Sequence, residues 1–173
     1  MAIGIHTDDE FQEVFAPIVD EVMKAVTDRA YKLLMTHIDK EVYGTGKNRM
    51  YVPTYEFRDK AWVKSIKDVA GAYVKKYVGA IEYTPSMMNE PTSSYPYRHG
   101  YYEYNIDNRE VLADLLNVEG VAKGMGDKER HLFWDNYERE LSTSVGQWLY
   151  TEFNNRGIKI PALKFAKPEG WYD

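Results

Sequence analysis

A histidine beside an arginine, in a segment crowded with phenol rings, is the first place in this chain to look for chemistry. Residues 93–105 read SSYPYRHGYYEYN and hold Arg98, His99 and tyrosines 95, 97, 101, 102 and 104. An imidazole can move protons near neutral pH, but hydrolysis also needs a nucleophile or an activated water held within hydrogen-bond reach. His99 has no serine near it in a recognisable nucleophile frame, and the chain has no cysteine, which excludes thiolate catalysis, thiolate metal sites and disulfides. His6 and His37 stand isolated in the sequence.

His131, Asp135 and Glu138 recur at i, i+4 and i+7, a spacing that puts potential metal ligands on one side of a helix. That stripe lies far round the helix from Phe133, Tyr137 and Leu141, so it reads as a solvent face. With no second cluster to complete a ligand set, no metal centre is expected. Gly44, Gly46 and Lys47 in YGTGKN invite comparison with a phosphate-binding loop. The G-x-x-x-x-G-K-[ST] spacing is absent and Asn48 stands where a magnesium-binding hydroxyl is required, so the glycines read as the end of a helix. No catalytic residue and no cofactor is expected.

A net charge of −5 opposes duplex binding, which needs a basic face to neutralise phosphates. Stacking of single-stranded bases on the tyrosines needs a positive groove as well. The nearest cations, Arg98 and Arg109, face the competing acids Glu90, Glu103, Asp107 and Glu110. The chain carries no apolar run near the roughly 20 residues that span a bilayer. Its start, MAIGIHTDDE, lacks the order of a signal peptide, so the chain reads as soluble and unexported.

The elements that must position these residues follow from periodicity. Apolar residues from Phe11 to Ile38 recur in steps of three and four behind a capping-box pair, Thr7 and Glu10, and predict a long helix stopped near Gly44. Pro17 either kinks that helix or marks its true first turn near Phe15. Strands are predicted near 62–69 and 73–83, joined by a turn at Ala70–Ala72. Residues 84–106, with Pro85, Pro91 and Pro96, predict a long loop; Asp107 and Glu110 open a short helix through Leu116. A second long helix runs through Phe133, Tyr137, Leu141, Val145, Trp148 and Leu149 to Gly157. Val22, Val26, Leu33 and Leu34 with Leu141, Val145, Trp148 and Leu149 are expected to form the helical part of one core.

The fold class is therefore α+β: long N-terminal and C-terminal helices on a small antiparallel sheet, with a Tyr/Pro-rich loop and an extended C-terminal tail. With 173 residues, the reading is one domain over 1–158 and an arm over 159–173 ending in Trp171 and Tyr172. Fifteen tyrosines tilt the chain towards contact surfaces, because a tyrosine ring is apolar and its tip is polar.

In their order, HIDKEVYGTGKNRMYVPTYEFRDKAW, the strand pair, the YRHG loop, NREVLADLLN and WDNYERELSTSVGQWLYTEF resemble small virion proteins of tailed bacteriophages. The group is the tail-completion or head-tail joining (neck) minor structural proteins, and the likeness covers most of residues 8–158. It implies a homo-oligomeric ring between head and tail, in contact with neighbouring neck, portal or tail-tube proteins. DNA would pass through the lumen without specific binding, and no membrane would be involved. The protein would reside in the virion, and in the host cytoplasm during assembly. It implies no chemistry. Tyr95, Tyr97, Arg98, His99, Tyr101, Tyr102, Trp171 and Tyr172 would then be interface residues. Two other classes stay open on sequence: a small hydrolase or nuclease using His99 with acidic partners, and a cytoplasmic adaptor that binds one protein.

Overall fold

Apolar or small residues at every fourth position, Val22, Val26, Ala30, Leu34, Ile38 and Val42, lay down a buried stripe along the N-terminal helix. The computed structural model describes residues 8–44, 55–69, 76–89, 113 and 132–160. Helix α1 spans Asp8–His37 and passes directly into a π-helical turn, Ile38–Tyr43. In an α-helix, steps of four drift by about 40° per step. A turn with more residues per revolution reverses that drift, and it keeps Ile38 and Val42 buried beyond Leu34.

Pro17 lies inside α1, the first of the two positions open to it on sequence. It lacks the amide hydrogen that would reach back to Glu13, and both residues are exposed, where water can serve the unpaired carbonyl. The helical run stops at Gly44, as expected, but by a different device. Gly44 has an ordinary right-handed backbone, φ −78°, and a Cβ there would stand 2.5 Å from the Lys40 carbonyl oxygen. Space, not handedness, selects this glycine.

Helix α2 is a single turn, Glu56–Asp59, entered through Tyr55 in a left-handed conformation, φ 59°. Strands β1 (Trp62–Val69) and β2 (Lys76–Tyr83) pair as a two-stranded antiparallel sheet, the hairpin expected from their β-branched and aromatic content. A 3₁₀ turn, Pro85–Met87, follows β2. Helix α3 covers Phe133–Asn155. Its end uses glycine for handedness: Gly157 has φ +80°, its N–H donates to the Asn154 carbonyl at 3.0 Å, and the Ile158 N–H donates to the Phe153 carbonyl at 3.0 Å. That bond pair is the Schellman stop. The α+β class holds. Ala113 is helical, while the rest of the short helix expected after Asp107, the turn at 70–72 and the tail from 161 lie outside the described residues.

The chain divides into two compact units. One contains Met1–Tyr31, Lys64–Ile81 and Arg139–Asp173; the other contains Lys32–Val63 and Glu82–Glu138. In the first, α1 buries Val22, Val26, Thr27 and Ala30, α3 buries Glu152, and β2 brings Gly79 against Thr27. In the second, Leu34, Ile38, Val42, Phe57, Ala61, Trp62, Met88, Phe133 and Tyr137 are buried.

Val22, Val26 and Leu34 of α1 are buried as expected, but Val22 and Val26 belong to the first unit and Leu34 to the second, and Leu33 is half-buried. On α3, Leu141, Val145, Trp148 and Leu149 are half-buried. The deep apolar burial of that helix falls instead at Phe133 and Tyr137, where aromatic rings of the second unit converge.

Candidate functional site

The residues singled out on sequence, Tyr95, Tyr97, Arg98, His99, Tyr101, Tyr102, Trp171 and Tyr172, lie outside the described residues. The structure does describe the root from which the tyrosine-rich segment grows, residues 83–89 of the second unit. Tyr83 ends β2 with its ring 5.0 Å from Trp62 and 5.9 Å from Phe57. The next residue, Thr84, donates its N–H to the Ala61 carbonyl at 2.6 Å. Pro85 then opens the 3₁₀ turn, where its missing N–H costs nothing, and the N–H groups of Met87 and Met88 close that turn onto Thr84 and Pro85 at 3.1 and 3.0 Å. The sequence predicts a loop from 84; its first residues are instead an ordered, hydrogen-bonded turn.

The two adjacent methionines separate. Met88 is 6% exposed and sits in the core, whereas Met87 is 56% exposed. Asn89 follows and is held at two points by one carboxylate. Its N–H donates to Glu56 Oε2 at 3.1 Å and its Nδ2 donates to Glu56 Oε1. Lys60 Nζ donates to the same Oε1 at 2.7 Å from one turn further along. The Lys60 hydrogen bond holds the Glu56 carboxyl below the ordinary glutamate range; partial burial opposes this and the Asn89 N–H adds to it.

Beneath the root is an aromatic cluster. Phe57 meets Trp62 and Phe133 edge to face, with centroids 5.7 Å away in each case, and Trp62 stacks on Trp134 at 5.6 Å and 15°. Trp134 leads on to Tyr137 at 5.2 Å and donates its Nε1 hydrogen to Glu138 Oε1 at 2.8 Å. Burial, aided by the neighbouring Glu138 charge, pushes the Tyr137 hydroxyl up to about 12. These rings interlock edges and faces, the arrangement favoured by ring quadrupoles.

The left-handed Tyr55 lies on the same unit. Its ring is 4.6 Å from Tyr43 and 5.2 Å from the Arg58 guanidinium carbon. Arg58 in turn donates to Asp59 Oδ1 and Asp39 Oδ1, each at 2.7 Å, which holds it firmly protonated. Ring, cation and carboxylates together retain Tyr55 in a backbone state that L-residues seldom adopt.

Charged residues pair in the first unit as well. Arg29 and Arg156 both donate to the buried Glu152, and Arg156 reaches Glu21 at 3.2 Å. Lys64 pairs with Asp28 and lies 5.4 Å from the Tyr31 ring.

Of the suspected ligand stripe, Asp135 is exposed, Glu138 is half-buried and takes the Trp134 indole hydrogen, and His131 lies outside the described residues. Glu138 is therefore less open than the solvent-face reading expects, being half-buried and bonded to the indole of Trp134 one turn earlier. Among the described residues, no group of three His, Asp or Glu side chains is placed to hold a metal ion, and no helix is long and apolar enough to cross a membrane.

Comparison with known protein families, curated proteins and solved structures finds no match.

Sequence reasoning missed the Glu56–Asn89 tie, whose partners stand 33 positions apart, and the Arg29–Glu152 pair, 123 apart. A signal existed for half of the second. Glu152 falls between Leu149 and Phe153 on the apolar side of α3, and a carboxylate there needs a cation.

Proposed function

We propose that this protein is a structural subunit of a tailed-phage particle, set at the head-tail junction and working by protein–protein assembly. The reading rests first on the order of segments over residues 8–158, which resembles the tail-completion and neck proteins. The α+β fold agrees with that resemblance. The observation that carries the assembly role is the joining of a tyrosine-dense segment to a fastened root. Residues 93–105 hold five tyrosines, and the chain leading into them is tied through Thr84 to Ala61 and through Asn89 to Glu56 of α2, with Met88 buried between them.

Tyrosine supplies large contact area with few rotatable bonds, and its hydroxyl can stay hydrated at the rim of an interface. Pro91 and Pro96 restrict the free chain further, which lowers the entropy lost on docking. Such a segment suits a subunit that meets copies of itself and the rings above and below it. The C-terminal Trp171 and Tyr172 would provide a second contact of the same chemistry.

The test is imaging and mass spectrometry of purified native particles. A closed ring of this protein on the portal or tail axis, lost when residues 93–105 are deleted, is the expected result. Absence from particles, with assembly undisturbed by the deletion, would overturn the proposal; a soluble complex with one cytoplasmic protein would favour the adaptor class.

A further inference from the structure

We infer that Glu56 is a positioning residue for the tyrosine-rich segment, fixing the orientation of Asn89, four residues before that segment begins at Ser93. This rests on the assembly reading above for its consequence, although the device itself is geometric. A carboxylate that accepts both the backbone N–H and the side-chain amide of one residue fixes two vectors of that residue. A single bond would leave rotation about its own axis. Lys60 on the same oxygen, at 2.7 Å, limits the freedom of Glu56 itself.

The residues around Asn89 make the clamp effective. Thr84 is bonded to Ala61, and Met88 is anchored in the core immediately before Asn89. The chain is thereby fastened up to position 88, and Glu56 fixes the orientation of Asn89. Glu56 is itself carried on α2, whose Phe57 is 5% exposed and packs against Trp62, Tyr83 and Phe133. The clamp is therefore seated on the buried aromatic packing of this unit.

The experiment uses the full chain with Glu56→Ala, Asn89→Asp and Lys60→Ala, read by amide hydrogen exchange and by incorporation into particles. Glu56→Ala and Asn89→Asp should each speed exchange at the Asn89 amide by about tenfold. Exchange at Leu34 and Phe133, and the melting temperature, should stay at wild-type values. Asn89→Asp serves as the second route because it sets two carboxylates against each other without touching α2. Lys60→Ala should change Asn89 exchange by no more than about twofold, because both bonds to Asn89 remain.

Incorporation into particles should fall for the first two variants and hold for the third. Unchanged exchange at Asn89 in Glu56→Ala and Asn89→Asp would overturn the clamp. Faster exchange with normal incorporation would overturn its positioning role. If the wild-type protein is missing from particles, the assembly reading fails, and the exchange data still decide whether the clamp exists.

Discussion

Arg29 on α1 and Glu152 on α3 stand 123 positions apart in the chain and share a hydrogen-bonded ion pair, Nη2 to Oε1. The partners are unequally placed: the Glu152 side chain is 10% exposed and that of Arg29 is 40% exposed. A half-solvated guanidinium tolerates the loss of its partner, whereas a buried carboxylate does not. Arg29→Ala leaves Glu152 paired with Arg156. It should destabilise the protein by about 1–2 kcal/mol in denaturant unfolding. The double variant Arg29→Ala with Glu152→Leu should recover part of that loss, because an apolar side chain leaves no charge to satisfy.

A β-carbon on Gly79 would stand inside the contact distance of Thr27 Oγ1. Thr27 is buried and β-branched, so it has few rotamers in which to yield. Gly79→Ala should therefore cost about 1–3 kcal/mol through overpacking. Thr27→Ala made in the same chain should return most of it. A double-mutant cycle with no coupling would show that the helix and strand do not meet here.

Leu34 has no exposed surface, and Phe133 is 1% exposed. Leu34→Ala should cost about 2–5 kcal/mol and Phe133→Ala about 3–5 kcal/mol in thermal or denaturant unfolding. Leu141 is only half-buried. Leu141→Ala should cost roughly half as much as Leu34→Ala, in proportion to the area it removes from water. Equal losses at Leu34 and Leu141 would contradict the burial pattern.

Tyr137 makes stability fall in alkali. Its hydroxyl titrates at about 12 in the folded chain. The unfolded value is about 10. A raised folded value means that the folded state holds the proton longer, so the stabilisation is complete below about pH 10 and lost as pH rises towards about 12. The loss is on the order of 2–3 kcal/mol for this group. Tyr137→Phe should flatten the alkaline part of the stability curve attributable to this residue and leave the neutral melting temperature within a few degrees of wild type. An unchanged alkaline slope would remove Tyr137 as the cause.

Sequence by itself determined the parts of this protein that local physics decides. Apolar residues from Phe11 to Ile38 in steps of three and four point to a helix with one apolar side. The valine- and aromatic-rich runs ending at Val69 and Tyr83 favour paired strands, and Gly157 is a residue that can take φ +80° at a helix end at little cost. Each of these signals acts over a few residues, so it can be read without knowing what lies across the fold. The tyrosine-rich composition of 93–105 was equally plain in the sequence.

Only the tertiary structure decided which partners meet. Glu56 reads as one more surface acid until Asn89 is brought against it, and Glu152 reads as an interruption of an apolar face until Arg29 arrives from the other end of the chain. The same holds for the depth of burial along α3, where identical four-residue spacing leaves Phe133 and Tyr137 buried but Leu141 and Val145 half-covered. Periodicity names a face of a helix, but what covers that face, and how completely, depends on chain segments far away in sequence. Hydrogen bonds to carboxylates act over about 3 Å, so their pairing becomes legible only when the fold has placed both ends.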